Sequence, residues 1–199
     1  MTRNPDRLVL FTDAVVAIAV TLLILPLVEV VTESKAEGLT AVEVITEHEG
    51  QVYAFLLSFV VIARFWLTHH HMFEHVRAYN TTLIQLNLGW LLTIVILPFP
   101  TEIVGSYETS RFTAGFYIGT ILALSIFQTA LTLLIRNHPE LEQPDNPVTE
   151  RELAVSLATT GLFVVAFILA ALIPGVTFYA LFLLFLTPLV SRLVLRIRQ

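Results

Sequence analysis

Six apolar segments, each close to the length that crosses a bilayer as a helix, decide what this chain can fold into. Spanning roughly 30 Å of hydrocarbon takes about 20 predominantly apolar residues. The segments run approximately from Arg7 to Val31, Tyr53 to His75, Leu83 to Pro98, Phe112 to Arg136, Leu153 to Ile173 and Val176 to Ile197. The third is short unless it begins near Thr82 and continues through Phe99. Polar connections separate most of them, and only the turn between the fifth and sixth, built on Pro174 and Gly175, is minimal. The apolar runs are continuous rather than alternating, which argues against barrel strands. Hydrophobic residues make up 56% and charged residues 14% of the 199, against about a quarter charged in soluble domains. The expectation is an all-α integral membrane protein, one six-helix transmembrane domain over residues 1–199. The first run is too long for a cleavable signal and no small-residue cleavage site follows it, so it is expected to be a permanent span. With no cysteine in the chain, disulfides, thiolate metal sites and cysteine nucleophiles are excluded.

Basic residues orient the weave, because short cytoplasmic loops carry an excess of them. Arg3, Arg7, Arg77, Arg136, Arg151, Arg192, Arg196 and Arg198 fall on one side of six crossings, against Lys35 and Arg111 on the other. Both termini are therefore expected to be cytoplasmic. Arg64 belongs to neither side, since it lies within the second segment.

The first segment carries a carboxylate, Asp13. An ionisable group in a span is expensive and demands a partner. Asp13 lies six residues in from Arg7, and His69 lies six residues in from His75, so both sit about 9 Å inside the same end. That depth predicts an Asp13–His69 contact, with Trp66 or Thr12 completing the hydrogen bonds that a buried carboxylate needs. The alternative is an interfacial Asp13 reaching toward headgroups.

A second pattern in the first segment is a seam. Arg7, Phe11, Ala14, Ile18, Thr21 and Leu25 follow steps of four and three, the spacing that keeps one stripe facing a partner or an axis. Glu29 falls back close to that stripe, and Pro26 removes the amide that would have bonded the Leu22 carbonyl. Around an axis of copies the seam makes a narrow apolar constriction with one hydroxyl layer and a carboxylate ring beyond it. On spacing alone it could equally pack against another helix. A third pattern is HHHMFEH, His69 to His75. There His71 with His75, or His70 with Glu74, has the i, i+4 spacing of paired metal ligands. An interfacial histidine run is the simpler account, and a metal-ion or proton-permeable secondary transporter using the His69–His75 run is the rival function. Such a transporter would show broken helices paired between two sequence halves, and no such halves are apparent. No nucleophile elbow, HExxH or Gly-rich phosphate loop points to an enzyme.

The residues Arg7, Phe11, Thr12 and Asp13 resemble the R-x-x-x-F-S-D signature of bacterial members of the transmembrane protein 175 family of potassium channels, with threonine in place of serine. Thr21, Leu22, Leu23 and Leu25 match its continuation. FWLTHH, Phe65 to His70, and LPFPT, Leu97 to Thr101, are similar to segments of the family's second and third helices. The resemblance implies a homotetramer of six-helix subunits in the cell inner (plasma) membrane, with helix one lining a central pore and no TVGYG filter. It implies passive, modestly selective potassium flux, with no cofactor and no nucleic-acid partner. By position, Ile18 would form the constriction, Thr21 a polar layer and Leu25 a second apolar layer. Arg7, Phe11, Thr12 and Asp13, with Trp66 and His69, would form a structural network holding helix one to helices two and three. Glu29 would charge the outer mouth, raising local cation concentration without choosing among cations.

Overall fold

A computed structural model describes residues 5–172 and 186–197 of the chain. Among these residues the structure is helical, with one isolated antiparallel bridge, Val76 to Glu142, and no strand. The helices are α1 (Asp6–Leu22), α2 (Leu25–Ala36), α3 (Ala41–Glu47), α4 (Glu49–Phe73), α5 (Thr81–Ile96), α6 (Pro98–Ser106), α7 (Arg111–Asn137), α8 (Glu150–Leu172) and α9 (Thr187–Ile197). Among the described residues five stretches are long and apolar enough to cross a membrane: Asp6–Ala36, Glu49–Phe73, Thr81–Ser106, Arg111–Asn137 and Glu150–Leu172. Residues 176–185 of the sixth expected segment, and the turn at Pro174 and Gly175 before it, lie outside the described residues.

Two of the five stretches are broken by proline. In the first, α1 gives way to α2 at Leu23 and Ile24, with Pro26 in the first turn of α2. Proline is tolerated there because that amide would lack a helical partner anyway. The third expected segment looked too short because Pro98 and Pro100 mask its continuation. The chain passes Leu97 and resumes as α6, and the two pieces together span Thr81–Ser106. The connection after the first segment, expected as a polar loop, is also largely helical. α2 continues through it to Ala36, and Gly38, at φ 80°, reverses the chain before α3.

Local sequence sets the helix starts. Thr40 and Glu43 form a reciprocal capping box on α3. Asn80 accepts from the Leu83 amide at the start of α5. Ser110 and Thr113 bond reciprocally on α7, and Thr149 and Glu152 do so on α8. Each side-chain acceptor satisfies an amide that the first helical turn leaves without a partner.

The core is built around α7, whose Tyr117, Ile118, Ile121, Leu124, Leu131 and Ile135 are buried. Leu83, Trp90 and Ile94 of α5, Ile62 and Phe65 of α4, and Phe163 and Ala166 of α8 complete it. Within a bilayer, close packing and interhelical hydrogen bonds hold helices together, because lipid tails are as apolar as the side chains. Along α7 and α8 the Ser125 and Thr160 hydroxyls meet at 2.6 Å, and Thr129 meets Ser156 and Thr160 at 2.8 Å each. Ser58 of α4 joins Thr101 of α6 at 2.7 Å and Tyr117 of α7 at 3.0 Å.

Candidate functional site: the two faces of α1

One face of α1 is buried and polar at its base. Thr12 is fully buried, followed along the same stripe by Val16, Ala19 and Leu23. The Thr12 hydroxyl accepts from Asn87 Nδ2 at 2.9 Å, and Asn87 Oδ1 accepts from His69 Nε2 at 2.7 Å. The His69 ring lies against Trp90 and Phe73, with centroid separations of 4.2 and 4.5 Å. Beside this chain, Asp13 Oδ1 accepts from Trp66 Nε1 at 2.8 Å. Three helices, α1, α4 and α5, are thus tied by two parallel polar links inside an apolar bundle. Leaving one of those buried donors without an acceptor costs about 1–3 kcal/mol.

The expected Asp13–His69 contact is not formed: Asp13 takes Trp66 and His69 takes Asn87. Counting residues from helix ends fixes depth but not direction. Trp66 and His69 are three residues apart, so they diverge by about 60° around α4. His69 belongs to the buried stripe with Ile62, Phe65 and Phe73, whereas Trp66 turns toward α1. Thr12 also serves Asn87 rather than completing the Asp13 carboxylate. Asn87 is the member that the sequence reading missed. It was detectable by the same reasoning that singled out Asp13, since an amide amid LIQLNLGWLL is a polar group needing a partner within a span.

The other face of α1 is exposed over the whole seam: Arg7, Phe11, Ala14, Ile18, Thr21 and Leu25. Ile18 is 62% exposed and Leu25 49%, while Val16 on the opposite face is 4% exposed. The Thr21 hydroxyl donates to the Ile18 carbonyl at 2.8 Å. Its proton is thereby committed to the helix, and its oxygen lone pairs remain outward. Arg7 and Phe11 stand on this exposed face, outside the links that hold Thr12 and Asp13. Glu29 is exposed on α2.

The histidine run is divided among three environments. His69 is in the core, whereas His70 and His71 are exposed, with His71 Nδ1 3.5 Å from Glu74 Oε1. His75 is buried against the α7–α8 connection, where Nδ1 donates to the Asn146 carbonyl at 2.8 Å and Nε2 stands 3.2 Å from Glu152 Oε1. The pairing of His71 with His75 as metal ligands is therefore not assembled, because both ring nitrogens of His75 face acceptors of the fold. No cluster of three or more His, Cys, Asp or Glu side chains suited to a metal occurs among the described residues.

An all-helical membrane bundle, with its first helix bound on one face through a Thr-Asn-His link and bare on the other, is the class that these features define. The model of the family described as "Endosomal/lysosomal potassium channel TMEM175" matches residues 7–98, the part that contains both the polar links and the seam. Over these residues the chain is similar to the TMEM175 family. A potassium channel of Streptomyces collinus is 32% identical over 63% of this chain and 61% of its own length. The endosomal/lysosomal proton channel TMEM175 of Danio rerio is 21% identical over 76% of this chain but 29% of its own. The chain spans less than two thirds of the length of these curated relatives. In three dimensions it is similar to the lysosomal potassium-selective channel TMEM175 homolog from Chamaesiphon minutus, with a TM-score of 0.74 at 25% identity over 94% of this chain and 96% of that one.

Proposed function

We propose that this chain is the subunit of a homotetrameric, potassium-permeable channel in which four copies of α1 surround a central pore. The observation that carries the reading is the two-faced burial of α1. Every seam residue from Arg7 to Leu25 is exposed, while Thr12, Val16, Ala19 and Leu23 bind the helix to its own bundle. The likeness to a potassium channel and to a potassium-selective homolog supports the choice of ion.

In this arrangement Ile18 forms the constriction, Thr21 a hydroxyl layer one turn further on, and Leu25 a second apolar ring. Both termini are cytoplasmic, each subunit has six spans, and Glu29 lies at the outer mouth of a pore in the cell inner (plasma) membrane. Selectivity arises from partial dehydration at the apolar ring, compensated weakly by Thr21 oxygens. Potassium holds its water less tightly than sodium, so the penalty favours potassium by a modest margin. Thr12, Asp13, Trp66, His69 and Asn87 act by fixing the rotation of α1, which sets the residues that meet the axis.

Reconstitution into liposomes with a potassium gradient tests the proposal. Passive flux down the gradient, with a reversal potential nearer that of potassium than that of sodium, is expected. Obligatory exchange with a coupled ion would overturn it. Flux of protons in preference to potassium would move the assignment toward the activity for which the Danio rerio relative is named.

A further inference from the structure

The two proline breaks meet at the end of the bundle opposite the histidine run. Leu22 and Pro26, from the joint between α1 and α2, face Thr101, Glu102 and Gly105 of α6 across a cavity of about 40 Å³, which Gln51 of α4 also lines. A cavity needs only about 10–15 Å³ to hold one water-sized particle. The walls are held closely together: a Cβ added at Gly105 would lie 2.9 Å from the Gln51 Cα.

Acceptors outnumber donors around this cavity. The Ser106 hydroxyl gives its single hydrogen to Glu102 Oε1, so Gln51 must present its amide nitrogen to Ser106, at 3.1 Å. Gln51 Oε1 is consequently buried with no hydrogen-bond partner. The Thr101 hydroxyl donates to the Leu97 carbonyl at 2.8 Å. Pro26 has no amide hydrogen to give the Leu22 carbonyl. What remains among these groups is one N–H of Gln51 and three acceptors: Gln51 Oε1, the second carboxylate oxygen of Glu102 and the Leu22 carbonyl.

We propose that this cavity is a binding site for a partly dehydrated monovalent alkali cation, distinct from the pore axis. Oxygen ligands are the chemistry of hard cations, and Gln51 Oε1 and the Glu102 carboxylate offer them in a cavity otherwise walled by Leu23, Leu27, Phe55 and Pro98. The single carboxylate matches a single positive charge, whereas divalent oxygen sites gather several. A cation here bridges the breaks in two spans and stiffens the joint of α1 with α2, so its occupancy bears on the geometry of the seam without contact with it.

The test uses the full chain, purified in nanodiscs, with thermal unfolding followed while sodium or potassium chloride replaces N-methylglucamine chloride at constant ionic strength. The midpoint should rise saturably with the alkali cation. Glu102→Gln and Gln51→Met should each raise the half-saturating concentration at least tenfold, while Thr21→Val, on the seam, should leave it unchanged. Loss of the saturable rise in Thr21→Val alone would place the cation in the pore and overturn the cavity site. So would an unaltered cation dependence in both cavity variants. Should those variants fail to fold, crystals of the parent soaked in thallium(I) decide. An anomalous peak between Gln51 and Glu102 is expected, and a peak-free cavity in crystals with thallium bound elsewhere would refute the site.

Discussion

α1 and α7 are both apolar helices of membrane-crossing length, and they have opposite fates. The Asp6–Ala36 stretch that contains α1 is the more apolar of the two, yet α7 is far the more buried. α7 sits among α4, α5, α6 and α8, so its hydroxyls and its isoleucines alike find partners within one chain. Among the described residues α1 packs chiefly on α4, α5 and α6, and leaves a full seam bare. Hydropathy reports that a helix avoids water. It does not report whether the helix avoids water against its own chain, against lipid or against copies of itself, because all three surroundings are satisfied by the same side chains.

The sharpest way to break that contrast is to place the same polar group on each helix. Ile121→Asn on α7 buries an amide where nothing can bond it and should destabilise by roughly 3 kcal/mol. The variant should lose its sharp size-exclusion peak and its cooperative melt. Ile18→Asn on α1 should leave folding nearly intact and instead increase ion leak in liposomes, because the amide hydrates the narrow place. Equal loss of fold from both would show that the seam is buried in the assembly as deeply as α7.

The bound face of α1 allows a finer comparison between its two polar links. Asn87→Leu strands both the His69 donor and the Thr12 hydroxyl and should cost about 1–3 kcal/mol. Asp13→Asn keeps an oxygen for the Trp66 indole and should cost less. Thermal unfolding of the two variants ranks the links, and a larger loss in Asp13→Asn would restore the carboxylate as the principal tie.

Hydroxyls on the two helices should differ in kind rather than size. Thr160→Val, in the α7–α8 contact, should reduce stability by about 0.6 kcal/mol, a typical value for an interhelical hydrogen bond in a membrane, and leave ion preference untouched. Thr21→Val should leave stability untouched and shift the reversal potential measured in mixed potassium and sodium gradients toward sodium. A selectivity change from Thr160→Val, or none from Thr21→Val, would mean that the pore face is misassigned.

The smallest effect concerns α3, beyond the first membrane stretch. Hydrogen bonds from the Thr40 hydroxyl and amide hold the Glu43 carboxyl below its ordinary range. A carboxyl lowered in this way contributes its capping above the unfolded value and loses it as pH falls through the lowered one. Amide exchange in α3 should therefore show protection, relative to the intrinsic rate, that declines only in acid. Thr40→Val should move that decline to higher pH.

Much of this protein was legible in its sequence because the governing constraint is local. A bilayer forces each spanning segment to satisfy its backbone within itself, so long apolar runs become helices whatever surrounds them. The same holds for the seam, since helical periodicity fixes that Ile18, Thr21 and Leu25 share a face. Depth alone pairs Asp13 with His69, and leaves Trp66 as only one of two donors that could complete Asp13. Direction around the helix axis was not legible. Whether His69 turns to Asp13 or Asn87 depends on about 60° of rotation and on where α5 stands, which no count along the chain contains. Nor was the continuation of the broken spans legible, because Pro98 and Pro100 look like an end until tertiary packing shows the chain resuming as α6. The cavity between the two proline breaks lies furthest from sequence reasoning. Leu22, Gln51 and Glu102 are distant along the chain, and only the packing of α1, α4 and α6 brings them to one cavity.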